Sequence, residues 1–252
     1  MKAPLEKRKP RSERSPLGGQ KSQVRRSPVR KRKLQAERRS ESMTHILDSA
    51  EAEFAEKGYN GATLASVAHV AGVDTSLMRY YFGDKERLFE AVFRRRGPTI
   101  HQLRVEAFAK YEAEVGENMT LEGVIYAFIR PGLELSINDE GWRNYARIVA
   151  YVNSSGGKLR RLMSEVFDPT SHLLLNYLRR LLPGAREKEI YWGYHFLSGG
   201  LTFSLGQTGR IDVISGGVVS TRDLEAILER LPIVFAAGIR ALCDRKRQAV
   251  RS

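Results

Sequence analysis

The feature that most constrains this chain is a glycine between two short apolar periods. Leu64, Val67, Ala68 and Ala71 recur at helical spacing, Gly72 interrupts them, and Leu77, Met78 and Tyr81 take the period up again. Thr63 can cap the first helix and Asp74 the second. Glycine adopts positive φ without strain, so a sharp turn is available at Gly72. Two short helices joined by such a turn form a helix-turn-helix pattern. Ala68 is small where the second helix must cross closely, and Val73 and Met78 can plug the angle. The second helix would then protrude, with Thr75, Ser76, Arg79 and Tyr80 facing outward. Hydroxyls for phosphates or bases, and an arginine able to grip guanine O6 and N7, suit a major groove. The same residues also fit an ordinary αα-corner, and both readings stand at this point.

The flanks extend the pattern. Met43, Ile46, Leu47, Ala50 and Phe54 make one face of a preceding helix that Gly58 would stop. Phe82-Gly83 ends the protruding helix, Asp84 can cap another, and Leu88, Phe89, Val92 and Phe93 carry that one inward. Residues 36–96 therefore read as one small helical domain, with the helix-turn-helix at about 60–82. Residues 97–243 show no βαβ alternation and no strand meander, and read as a second, larger helical domain. Helices are expected near 84–113, interrupted at Gly97-Pro98, then over 119–136, 139–154, 157–182, 186–208 and 221–243. Residues 209–220 read as a loop. With three helices at the amino-terminal end the count is about nine, and the fold class is all-α.

Charge marks off the ends. Of a net +13, +11 falls in residues 1–33, which hold 13 Lys and Arg against Glu6 and Glu13. Four prolines and few aliphatic residues leave that segment too little to bury, so it is expected to be a disordered basic tail. It could touch nucleic-acid phosphates or merely solubilise the chain. Residues 244–252 form a short basic carboxyl-terminal tail. The single cysteine, Cys243, excludes an intrachain disulfide and a cysteine-based zinc site. No apolar run reaches membrane length and the basic amino terminus lacks an apolar h-region, so a cytoplasmic protein with no membrane partner is expected. Five scattered histidines, with no HExxH, phosphate loop or GxSxG elbow, argue against an enzyme, a metal site or a cofactor.

The stretch Ile46-Leu47-Asp48-Ser49-Ala50, Phe54-Ala55-Glu56-Lys57-Gly58-Tyr59, Ala62-Thr63, Val67-Ala68, Ala71-Gly72-Val73 and Tyr80 through Phe89 resembles the amino-terminal domain of the TetR family. The resemblance implies a homodimeric transcriptional regulator, usually a repressor released from a double-stranded DNA operator by a small ligand. It implies that Thr63 and Lys85 meet phosphates, that Thr75, Ser76, Arg79 and Tyr80 face the groove, and that Tyr81 serves backbone contact or domain packing. Ser76 and Arg79 depart from common family choices, which bears on the operator sequence. The alternative function is a helical protein that binds RNA or another polyanion through its basic tail.

Trp142 to Val152, Met163 to Phe167, Tyr191 to Phe196 and Thr208-Gly209-Arg210 resemble the PsrA-like branch, some of whose members respond to fatty acids or acyl derivatives. Phe128, Trp142, Tyr145, Met163, Phe167, Tyr177, Trp192, His195 and Phe196 are candidates to line a pocket for a small apolar, fatty-acyl ligand; core packing is the plainer reading for any one of them. Arg130 and Arg147 could meet an acidic head group, though a solvated surface role suits them better. Gly193 and Gly200, and Gly199 and Gly206, lie seven apart. A helical glycine costs about 1 kcal/mol against alanine, so their repetition suggests a close neighbour. With Leu228 and Phe235 of the last helix they are candidates for a dimer interface, since in the family the last two helices form a four-helix bundle between subunits. Pro232 is expected to kink or divide the last helix.

Overall fold

The computed structural model describes residues 28–244. The chain divides into two units, Met1–Glu41 and Ser42–Ser252. The described residues of the first unit are the opening turns of α1 (Pro28–Gly61). Residues 28–33, expected in the disordered tail, are thus helical. Pro28 stands at the first helical position, where a missing N–H costs nothing. The rest of that tail, and the basic residues 245–252, lie outside the described residues.

The second unit holds the remainder of α1 and then α2 (Leu64–Val70), α3 (Thr75–Phe82), α4 (Lys85–Val115), α5 (Leu121–Asn138), α6 (Glu140–Asn153), α7 (Gly157–Leu181), α8 (Glu187–Leu205), α9 (Arg210–Ile214) and α10 (Leu224–Cys243). Among the described residues there are ten α-helices and no strand, so the all-α class holds. The tenth helix is α9, one turn inside the expected loop 209–220. Asp212 holds it by accepting the Thr221 backbone N–H at 2.7 Å.

Local chemistry explains the starts and stops. Helical dihedrals in α1 break at Gly58 (φ 68°, ψ 171°). Asp84, Thr120, Asp139 and Asp223 each cap a helix by accepting a backbone N–H from its first turn. The expected interruption at Gly97-Pro98 does not occur: α4 runs through it as one helix. Pro98 lies on the exposed side, where the carbonyl it leaves unbonded can meet water. Gly97 is buried, and a Cβ there would lie 2.2 Å from Val166 Cγ1, so the glycine serves the close approach of α7. Pro232 likewise sits inside an undivided α10.

Two apolar cores form. One gathers Ile46, Ala50, Phe54, Val67, Ala68, Met78, Phe89 and Phe93 and continues without a break into Tyr145, Ile148, Leu162 and Phe167 of α6 and α7. The other lies between the distal half of α4 and α5, α7, α8 and α10, around Phe108, Ile125, Leu174, Leu197 and Ile239.

Candidate functional site

The helix-turn-helix is built as its residue types require. Thr63 caps α2, and Ser66 answers it. The Thr63 Oγ1 accepts from Ser66 N at 3.0 Å while Thr63 N donates to Ser66 Oγ at 2.9 Å, a reciprocal capping box with serine in the usual Glu position. Gly72 has φ 62°, and Val73 N closes the turn onto Ala68 O at 3.0 Å. Ala68 and Met78 are buried between α2 and α3, as their sizes demand. Asp74 caps α3 by accepting Ser76 N at 2.7 Å, and Gly83 ends it.

This leaves a polar face on α3. Ser76, Arg79 and Tyr80 are exposed, with Tyr80 at 75%, and Thr75 is half-buried beside them. The Arg79 side chain has no hydrogen bond or ion pair among the described residues. Tyr81 is half-buried against Tyr80, with ring centroids 5.4 Å apart. The Lys85 ammonium donates to the Tyr59 carbonyl at 2.9 Å and lies 4.4 Å from the Tyr59 ring centroid. An ammonium carries three donors, so two remain for an anion.

Behind this head, α1 is clasped to α4. Glu51 is buried and receives Arg95 Nη2 at 2.9 Å, Arg96 Nε at 2.8 Å and Arg96 Nη2 at 2.8 Å. Asp48 takes Arg95 Nη1 at 2.7 Å. The Arg96 guanidinium also lies over the Trp142 ring at 4.4 Å. Further along, the Tyr145 hydroxyl donates to Phe93 O at 2.7 Å, and Lys158 and Arg94 reach Glu86 and Glu165 across α4 and α7.

The aromatic set separates in space. Trp142, Tyr145 and Phe167 line a cavity of about 40 Å³ among α4, α5, α6, α7 and α8, and Phe128 lies beside it under Arg104. Burial pushes the Tyr145 phenol well above its ordinary range. Met163 packs into the head-side core. Tyr177 sits at the far end, stacked on Phe108 at 4.7 Å, and its hydroxyl donates to Glu112. Trp192 and Phe196 do not join the cavity: both are about half exposed on the outer face of α8, stacked 5.6 Å apart. The reason is that Ile190, Gly193, Leu197 and Leu201 take the inward face of that helix. His195 instead lines a second, larger cleft of about 610 Å³, with Phe54, Tyr59, Tyr151 and Arg147. Arg130 pairs with Glu134 and Arg147 bonds Gln207, so neither points into the 40 Å³ cavity.

The glycines of α8 also divide. A Cβ on Gly193 would meet Ile239 at 3.0 Å and one on Gly200 would meet Phe235 at 2.3 Å, so these two admit α10 of the same chain. Leu228 and Phe235 pack partly buried on that side. Gly206 meets only its own turn, and Gly199 faces open space.

Two residues that sequence reasoning missed are Glu51 and Arg104. Glu51 gives no local signal, because its partners lie 44 and 45 residues away. Arg104 does: it interrupts the apolar row Phe93, Ile100, Phe108 of α4.

Residues 46–92 match the model of the bacterial regulatory proteins of the tetR family. Residues 126–238 match that of the tetracyclin repressor-like carboxyl-terminal domain. The HTH-type transcriptional regulator BetI of Burkholderia thailandensis is 43% identical over 49 residues, 19% of this chain and 25% of that protein. BetI of Burkholderia cenocepacia matches to the same extent. The chain therefore spans a quarter of the length of these curated relatives. Among solved structures, a TetR-family transcriptional regulator from Bordetella parapertussis superposes with a TM-score of 0.56 at 16% identity, covering 75% of this chain and 91% of that one. The fatty acid degradation regulator FadR from Bacillus halodurans gives 0.51 at 19% identity, covering 78% and 98%. At these identities the structural likeness is one of fold. With an amino-terminal and a carboxyl-terminal model matched in order along one polypeptide, the chain belongs to the TetR family of bacterial regulatory proteins.

Proposed function

We propose that this protein is a homodimeric repressor that reads a double-stranded DNA operator with α3 and is released by a small apolar ligand held among α4 to α8. The observation that carries the reading is the outer face of α3, where Ser76, Arg79 and Tyr80 stand exposed on a helix fixed from behind by Met78 and Phe82. In this reading Arg79 grips a base edge, Thr75, Ser76 and Tyr80 line the groove, and Tyr81 packs behind it. Thr63 and Lys85 bracket the phosphate backbone from the starts of α2 and α4.

The dimer reading rests on a second exposed face. Trp192, Phe196, Gly199 and Phe203 follow one another at spacings of four, three and four on the outer side of α8, and Ile233, Val234, Gly238 and Ala241 are exposed on α10. Such a seam suits a second copy packed about a two-fold axis, which would set two α3 helices about 34 Å apart on a palindromic site. Release would follow if a ligand in the bundle fits only one spacing of the two heads. A contiguous path supports this: Trp142 lines the cavity, Arg96 covers Trp142, and Glu51 on α1 binds Arg96.

The test is selection of bound duplexes from a random library, followed by affinity measurement on the selected site. Arg79→Ala should cost about 1–3 kcal/mol and relax preference at one base pair per half-site. Lys85→Ala should weaken all duplexes alike. Uniform weakening by Arg79→Ala would remove the base-reading role.

A further inference from the structure

Arg104 is 8% exposed in the middle of the bundle. Its Nε donates to the Phe128 carbonyl at 2.9 Å, and the guanidinium lies 4.0 Å from the Phe128 ring centroid and 5.8 Å from that of Phe167. Desolvation lowers its pKa to about 10, which still leaves it a cation at neutral pH, and the groups that act on its charge are the phenols of Tyr194 and Tyr145. No carboxylate pairs with it among the described residues. A guanidinium has five N–H donors; one is used, and those on Nη1 and Nη2 have no protein acceptor among the described residues.

Arg104 lines the cavity of about 40 Å³. A water molecule's share of the liquid is about 30 Å³, so the space suits a head group of a few atoms. Ile129, Leu133, Leu201 and Leu205, all apolar, line the same space. The free Nη donors of Arg104 face this cavity, and an anion that reaches them gains a charge-assisted, two-pronged contact.

We propose that Arg104 is the anchor of a ligand site inside the bundle, and that the ligand is an apolar carboxylic acid whose carboxylate takes the free Nη donors of Arg104 while its chain enters by parting Leu133, Leu201 and Leu205, which line the same small space. The inference rests on the reading of this cavity as the effector site and narrows the ligand's chemistry. One guanidinium with no second cation in the lining matches a single negative charge better than a phosphate dianion. A thioester of the same acid is neutral at that end and would leave Arg104 unpaired.

The experiment is calorimetric titration of the full-length protein with straight-chain carboxylates from butyrate to palmitate, each beside its methyl ester. At least one acid should bind at least tenfold more tightly than its ester. Arg104→Met should bind acid and ester alike, and Arg104→Lys should recover part of the preference. The melting temperature of Arg104→Met without ligand should equal or exceed that of the wild type, because the variant removes an unpaired buried charge. If every ester binds the wild type as well as its acid, or no acid binds it, the anchor is overturned. A melting temperature that falls in Arg104→Met makes the guanidinium a structural brace and overturns it too. Operator release followed in the same titration separates the two claims. Esters that release operator as well as acids leave the effector reading standing and remove the anchor, whereas an acid that binds through Arg104 without releasing operator leaves the anchor and removes the switch.

Discussion

Two buried charges on this molecule are treated in opposite ways. Glu51, on the head side, is met by two arginines through three hydrogen bonds. Arg104, two turns further along α4 than Arg96, is met by one backbone carbonyl and two aromatic rings. Both are desolvated, yet only the first is answered inside the chain. A paired buried charge fixes how two elements meet; an unpaired one keeps its donors for something that arrives later. Even the clasp is imperfect, because Arg95 Nε is buried with no hydrogen-bond partner among the described residues.

The contrast can be broken from either side. Glu51→Gln should have the largest effect, a loss of about 3–5 kcal/mol, because it leaves Arg95 and Arg96 with their buried partner discharged. Chemical denaturation of the variant beside the wild type checks this; a change below about 1 kcal/mol would mean that the clasp is no better paired than Arg104. Arg104→Met should move the other way, with a gain of about 1–2 kcal/mol in the same assay, since a hydrophobic residue of similar length replaces an unpaired charge. Between the two sites lies Gly97. Gly97→Ala should cost about 1–3 kcal/mol by driving its Cβ into Val166, and Val166→Ala in the same chain should recover part of it. The smallest effect belongs to Asp48→Ala. Asp48 also holds Arg95, but its side chain is 53% exposed, so the loss should lie within about 1 kcal/mol. An Asp48 effect as large as that of Glu51 would show that neither burial nor the number of hydrogen bonds sets the strength of the clasp.

The sequence made the head legible because every signal there is local. Ala68, Gly72, Val73 and Met78 fall within eleven positions, and Thr63, Asp74 and Asp84 sit at the caps their side chains favour. The bundle was less legible for three physical reasons. Periodicity finds two apolar faces on α8 and cannot tell which goes inward, so Trp192 and Phe196 read as pocket lining although Leu197 and Leu201 are the buried pair. Gly97-Pro98 reads as a break from propensity alone, whereas the close packing of α7 and the exposed side taken by the proline let the helix continue. Glu51 and its arginines are joined only by tertiary structure. Arg104 could have been found, since an arginine in a buried row is an anomaly that the sequence displays openly.

The uninterrupted course of α4 has a mechanical consequence. Thirty-one residues at 1.5 Å each make a rod of about 46 Å. Suppose the rod pivots where it runs close to α7, at Gly97, where a Cβ would lie 2.2 Å from Val166. Arg104 lies about 10 Å along the axis on one side and Lys85 about 18 Å on the other. A ligand that shifts the Arg104 end by about 1 Å would swing the Lys85 end by nearly twice that in the opposite direction. In a two-fold dimer both heads would swing together, so the spacing between the paired α3 helices would change by several times the displacement made inside either bundle.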